Sequence, residues 1–206
     1  MGTDIHCLWQ KRNNDGTYTD VPSTYEENRH YYLFAWLGNV RNGYGFAGIK
    51  THEPLKPLSN CRGIPSDIVM TEDFHHPTTL ECITGWRLKY RNPDEPVEIW
   101  LGYHSHSWLD WDEIINGEQP IDNIKTGIIS IDTFNSWDKK SPPKEYCGGI
   151  SGPDVVVAEN INSITPQTTY VRVQWVDNSE LQYFVDIVKE MKAKHGNGRL
   201  VFGFDS

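Results

Sequence analysis

"TYVRVQWVDNSELQYFVDIVKEMKAKHGNGRLVFGF", residues 169–204, changes its hydrophobic period twice. Val171, Val173 and Trp175 alternate with Arg172 and Gln174, the period of two that turns one strand face toward a core. Leu181, Phe184, Val185, Val188 and Met191 then recur at helical intervals, with Ser179 and Gln182 as a capping box and Gly196 as the stop. "RLVFGF" reads as a closing strand.

Working back toward the N-terminus, "NNDG" at 13–16 carries a hairpin turn signal in Asp15-Gly16. It predicts antiparallel strands over 3–11 and 17–21, with Asp4 and His6 on one face. "NRHYYLFAWLGN", 28–39, places Tyr31, Phe34, Ala35 and Leu37 at helical spacing, with Asn28 as candidate cap and Gly38 as candidate stop. Residues 86–103 alternate on either side of "NPDEP" as a second hairpin. Ser107, with Asp110 three residues on and Ile114 and Ile115 beyond, predicts a short helix capped at Ser107. Residues 40–69 and 133–153 are rich in Gly and Pro and lack a period, so they predict long loops. The mixture predicts an α+β fold over a single domain, 1–206: a mostly antiparallel or mixed sheet, two or three covering helices and long functional loops.

Composition narrows the function classes. A formal charge of −9 over 206 residues argues against general nucleic-acid binding, which needs a basic stripe to displace counterions. A small anionic ligand needs only a few convergent arginines. Four cysteines, at 7, 61, 82 and 147, form no C-x-x-C pair, and the chain opens without a signal-like segment, which predicts a reduced cytoplasmic protein. No apolar run approaches the roughly 18 residues of a membrane span, so no membrane partner is expected. A homo-oligomer is compatible with all of this.

The candidate chemistry lies in "LGYHSHSWLDWDEI", 101–114. Strand alternation would put His104 and His106 on one face, as it would Asp4 and His6. If the two strands are neighbours, four N and O ligands converge, a set suited to zinc, manganese or iron with a bound water as nucleophile. Without a metal, the two histidines could serve as general base and general acid across a phosphodiester. A solvated strand-to-helix corner is the plain alternative. Arg41 in "NVRNGYGF" and Arg62 in "CRGIP" stand among glycines and are candidate phosphate ligands. Ser107 at the helix start is a candidate phosphate contact, and Trp108 and Tyr44 are candidate stacking residues for a base. His75-His76 precedes a proline in a loop and reads as exposed, while His30, His52 and His195 stand alone.

"MGTDIH", "YYLFAWLGNVRN", "RGIPSD", "HSHSWL" and "RLVFGFD" together resemble a family of bacteriophage-encoded proteins that begin M-G-x-D-I-H. A partial likeness to calcineurin-like metallophosphoesterases rests on Asp4-Ile5-His6 (D-x-H) and Gly102-Tyr103-His104-Ser105-His106 (G-H-x-H). An extra residue splits the second motif, and G-D-x-x-D and G-N-H-[DE] are missing. The phage resemblance implies a protein of the infected host's cytoplasm. Joined to the pocket chemistry, it predicts inactivation of a nucleotide immune signal by phosphodiester cleavage of a cyclic nucleotide, carried by Asp4, His6, His104 and His106. The alternative is a sponge that sequesters a cyclic dinucleotide or ADP-ribose-type signal, and the third possibility is a structural or host-interaction protein.

Overall fold

The structure, a computed structural model, describes residues 2–27, 29–45, 50–68, 70–72, 86–89 and 98–205, with backbone alone at 70–72, 86–89 and 98–99. It is an α+β fold whose described residues form two compact units, 1–119 with 180–206, and 120–179.

The first unit is organised by the two ends of the chain. Strand β1 (Asp4–Arg12) turns through Gly16, whose φ of 85° suits glycine, into β2 (Tyr18–Asp20). The last strand of the chain, Gly198–Asp205, pairs antiparallel with β1 from Lys11↔Gly198 to Asp4↔Asp205. In chain order the elements between them are α1 (Tyr31–Gly38), β3 (Met70–Glu72), β4 (Trp86–Lys89), β5 (Glu98–Trp100), β6 (His104–Asp110) and α2 (Trp111–Asn116). The second unit contributes β7 (Ile124–Ser130), α3 (Ile131–Ser136), β8 (Val157–Ala158) and β9 (Tyr170–Val176), and α4 (Ser179–His195) leads back to the closing strand, β10. The main sheet runs β2-β1-β10-β6, and β3-β4-β5 forms a smaller antiparallel sheet. The predicted second hairpin is therefore present in β4 and β5, although its "NPDEP" turn lies outside the described residues.

Alternation along β10 explains the layers. Leu200, Phe202 and Phe204 pack with Ile5 and Trp9 of β1 against Leu33, Phe34, Trp36 and Leu37 of α1 and Phe184, Val185 and Val188 of α4. Val201 turns the other way, into a smaller cluster with Leu8 and Leu101. Residues Gly198–Phe204 are all buried, as a central strand covered on both faces must be. Helix α1 is buried along Tyr32–Gly38, so it is a core helix rather than an amphipathic one.

Several local expectations shift by a few residues, each for a visible reason. Asn28 lies outside the described residues, and α1 is capped by His30, whose Nδ1 accepts the Leu33 N–H at 3.2 Å. The helix stops at Asn39, in the left-handed region at φ 61°, one residue past Gly38. The short second helix starts at Trp111, because Asp110 and Glu113, not Ser107, form the capping box. Ser179 and Gln182 do not form theirs: the Ser179 N–H and hydroxyl both donate to Asp177, and Gln182 donates to Asp186. The long segment 40–69 is laced to its neighbours. Leu58 N–H donates to Trp36 O, Gly63 N–H to His106 O, and Asp67 receives Arg199 through two bonds of 2.9 and 3.0 Å.

In the second unit, β7 and β9 pair antiparallel, and β8 adds parallel to β9. Ile129, Ala158, Val171, Val173 and Trp175 form its core, with Phe134 and Trp137 against them. The strands either side of α4 thus belong to different sheets, β9 to this one and β10 to the main one.

Because Nδ1 of His30 is an acceptor, its ring proton sits on Nε2, which faces the Glu180 carboxylate. Asparagine can replace the cap acceptor and alanine cannot. His30→Ala is expected to lower stability by about 0.5–2 kcal/mol and His30→Asn by clearly less, measured by urea unfolding; equal losses would remove the capping role.

Candidate functional site

One end of the main sheet gathers the titratable groups: the start of β1, the end of β10 and the start of β6. Strands β1 and β6 are not neighbours, however, because β10 runs between them. The four-residue set expected from direct pairing lies on two strands separated by a third, and its two histidines from β6 are split again by the backbone.

The split is a bulge. Phe204 pairs with His104 and Phe202 with Ser107, so three steps along β6 match two along β10. Ser105 takes φ 54° inside it. The extra residue reverses the alternation. His104 lies on the Phe204 side, its ring stacked on that phenyl at 6.2 Å and 24°. His106 lies on the other side, against Gly203, where a Cβ would meet both its ring and the Leu101 carbonyl.

His6 shares that second side, since its register partner is Gly203. Its Nε2 stands 3.3 Å from Asp205 Oδ2 and its Nδ1 3.7 Å from Glu27 Oε2. The Asp205 contact is an ion-pair distance without hydrogen-bond alignment, leaving Nε2 buried and unsaturated. The indole of Trp100 covers the ring at 4.4 Å. Both carboxylates are fixed from their far sides. Asp205 Oδ1 accepts the Asp4 N–H at 3.0 Å, and Glu27 Oε1 accepts the Cys7 N–H at 2.8 Å. Burial pushes the Glu27 carboxyl up, toward its neutral form. Burial, aided by Glu27, also pushes the Cys7 thiol well up, so Cys7 is no thiolate nucleophile. A groove of about 440 Å³ runs beside these residues, between Cys7–Trp9 and Asp20–Glu27.

The remaining predicted residues fall into two groups. Asp4 is held by Arg29 through bonds of 2.6 and 2.9 Å, which keeps its carboxyl below the usual range. Arg41 lies at the same sheet end: its Nε donates to Thr3 Oγ1 at 2.6 Å, it sits 5.1 Å over the Tyr31 ring, and its charge acts on His104. Arg62 lies elsewhere, farther along β6, where Glu113 engages it bidentately at 2.7 and 2.8 Å and the Trp108 ring lies 5.2 Å beneath it. The two arginines therefore do not border one pocket. Ser107 is fully buried and donates to Ser59, which makes it a packing hydroxyl rather than a helix-end phosphate contact. Trp108 packs on the Leu8–Leu101–Val201 cluster, and Tyr44 is half exposed in a turn closed by its N–H on Arg41 O. Among the described residues no three His, Cys, Asp or Glu side chains group so that they could hold a metal ion, so the proposed Asp4, His6, His104, His106 metal set does not converge.

Asp205, Glu27, Trp100 and Tyr103 were not singled out from the sequence. Asp205 is placed by a pairing between chain ends, Glu27 reaches β1 from a segment without periodicity, and the aromatics flank a kink at Gly102; none leaves a local pattern. No family model, curated protein or solved structure matches this chain. Among the described residues no helix is long and apolar enough to cross a membrane.

Burial holds His104 and His106 below the ordinary imidazole value of 6.5, and for His106 the neighbouring His104 adds to it. Each therefore contributes stability that is full above about pH 6.5 and is lost as pH falls and the unfolded chain takes up the proton. Glutamine at 106 does not titrate and can still donate to the Gly102 carbonyl, which lies 3.1 Å from the imidazole. The stability gap between wild type and His106→Gln, from urea midpoints, is expected to shrink between about pH 7.5 and about pH 5.5. Glu27 has the opposite sign but is common to both proteins and cancels. A gap independent of pH would mean that His106 is not buried in the neutral form.

Proposed function

We propose that this sheet end is an acid–base site which cleaves a phosphodiester bond of a cyclic nucleotide, in a phage protein that removes a nucleotide immune signal from the host cytoplasm. One observation carries the proposal: His6 is an imidazole clamped between two carboxylates, Asp205 and Glu27, each itself anchored to β1 backbone. Both ring nitrogens face a carboxylate, so the 3.7 Å Glu27 contact must give way before Nδ1 can take a proton from water as the oxygen attacks phosphorus and return it to the ribose oxygen that leaves. Arg41 supplies positive charge for the phosphoryl oxygens at the same sheet end, whereas His104 lies on the face opposite His6. Arg29 offsets the charge of Asp4, which lowers the negative charge that an anionic ligand meets.

Retention without cleavage is favoured by a different observation: the bulge at Ser105 separates His104 from His106, so the couple suggested by H-x-H does not act across one bond. The same phosphate and base contacts would then hold the nucleotide without changing it.

Incubation of the pure protein with a panel of cyclic nucleotides, followed by chromatography, separates the two. Cleavage predicts a linear product, with turnover reduced roughly 10²–10⁴-fold in His6→Asn, the range for a lost general acid or base. Retention predicts unaltered nucleotide released on heating, and that recovery from wild type would overturn the enzymatic proposal. Arg41→Ala is expected to weaken nucleotide binding by about 1.5–3 kcal/mol. Arg62→Ala, which removes the partner of Glu113, is expected to lower stability and leave binding unchanged; calorimetry on both variants checks the division.

A further inference from the structure

We infer that the base of the nucleotide is read at a gap in the outer edge of β1, where Cys7 C=O accepts from the edge of the base and Trp9 N–H donates to it, an assignment that rests on the function proposed above. The gap opens because β2 leaves β1 early. Their register ends at Gln10↔Asp20, and one further bond, from Val21 N–H to Trp9 O at 2.9 Å, follows it. The chain then turns through Pro22 and Ser23, whose hydroxyl accepts the Tyr25 N–H at 3.1 Å. It returns to β1 as the Glu27 carboxylate, which takes the Cys7 N–H at 2.8 Å. Cys7 and Trp9 therefore turn their peptide groups to the same outer edge, away from β10. Between the two bonds lie Cys7 C=O and Trp9 N–H, and among the described residues neither has a hydrogen-bond partner.

In front of these two groups lies the groove of about 440 Å³. Leu8, Val21, Pro22 and Tyr25 supply its apolar lining, and Tyr25 is seated edge-on against Phe184 at 5.0 Å and 81°. No lysine or arginine lines it, so it is not built for a phosphate. Burial pushes the Cys7 thiol and the Tyr25 phenol up, which keeps both neutral. An uncharged ring suits such walls. Glu27 joins the groove to the acid–base group, since one of its oxygens holds Cys7 N–H and the other stands 3.7 Å from His6 Nδ1.

The order of the free groups selects the occupant. An acceptor and a donor on alternate residues of a strand edge match a planar ring that carries its own donor beside its own acceptor, as every nucleobase does on its Watson–Crick edge. An added peptide strand would need the run to continue. Here it stops on both sides, because Cys7 N–H is held by Glu27 and Trp9 O by Val21. A base is therefore distinguished from the bare ribose phosphate by main-chain groups that no side-chain pattern in the sequence displays.

The test reads binding without turnover in the full chain carrying His6→Asn, by calorimetry. The ligands are the cyclic monophosphates of adenosine, cytidine, guanosine and uridine, the same four methylated on the base at its exocyclic amine (adenine, cytosine) or ring N–H (guanine, uracil), and the base-free ribose cyclic phosphate. At least one unmethylated nucleotide is expected to bind more tightly than the base-free ligand. Its methylation should weaken binding about 5- to 150-fold, the range for a buried polar group left without its partner. Hydrogen exchange of the Trp9 amide, followed by NMR in the wild-type chain, gives a second measurement: it should slow when that nucleotide is added and stay unchanged with the base-free ligand. Methylation without effect, or exchange at Trp9 that ignores the nucleotide, would overturn the gap as the base site and leave the functional proposal intact. No binding of any cyclic nucleotide would overturn both.

Discussion

Strand β10 has no free face and no free edge, and the first unit depends on that. Its side chains alternate between the α1–α4 core and the Leu8–Leu101–Val201 cluster, and its edges are taken by β1 and β6. Gly203 lies against His106 and opposite His6 in register, and the absence of a side chain there admits both the His106 ring and the Leu101 carbonyl. Any larger residue would push apart the layers that place His6 and the 101–106 loop beside each other. The pairing of Asp4 with Asp205 also spans nearly the whole chain, so the site forms only after the most non-local contact of the fold has been made.

Elements with a complete local signal were legible in the sequence. Strand β1, the Asp15-Gly16 turn, α1, α4 and β10 each bury a face whose period is written in consecutive residues. The helix caps were less legible, because a cap depends on which nearby oxygen or nitrogen reaches the orphan N–H first. His30 takes that role for α1, and Asp110 displaces Ser107 at α2. Strands β7 and β8 carried no prediction, and helix α3 runs to Ser136, inside the segment read as a loop over 133–153. Their apolar residues are few, and β8 is only two residues long.

The candidate site was half legible for a related reason. Asp4, His6, His104 and Arg41 lie at one sheet end, with His104 on the face opposite His6. What parity could not reveal was the bulge: a single left-handed residue, Ser105, reverses every side chain on one side of it relative to the other. Serine is not the residue that announces a left-handed conformation, whereas Gly102 three residues earlier announces its own. The carboxylates that define the surroundings of His6 came from residues 27 and 205, far apart in sequence, and only the strand register brings them to one imidazole.

The bulge also divides labour between chemically identical side chains. His106, on the Gly203 side, is buried to 4 % exposure and directs Nε2 to a backbone carbonyl, so its protonation would charge a group surrounded by packed atoms. It serves the fold, fixing the 102–106 loop. His104, one bulge away, keeps partial exposure and feels both Asp205 and Arg41. His6, across β10, has the carboxylates. Regular alternation would have put the two β6 histidines on one face and removed the His106 contact with the Gly102 carbonyl. With the bulge, one imidazole secures the turn between Trp100 and Tyr103, and the other two remain at the sheet end, one on each side of Asp205.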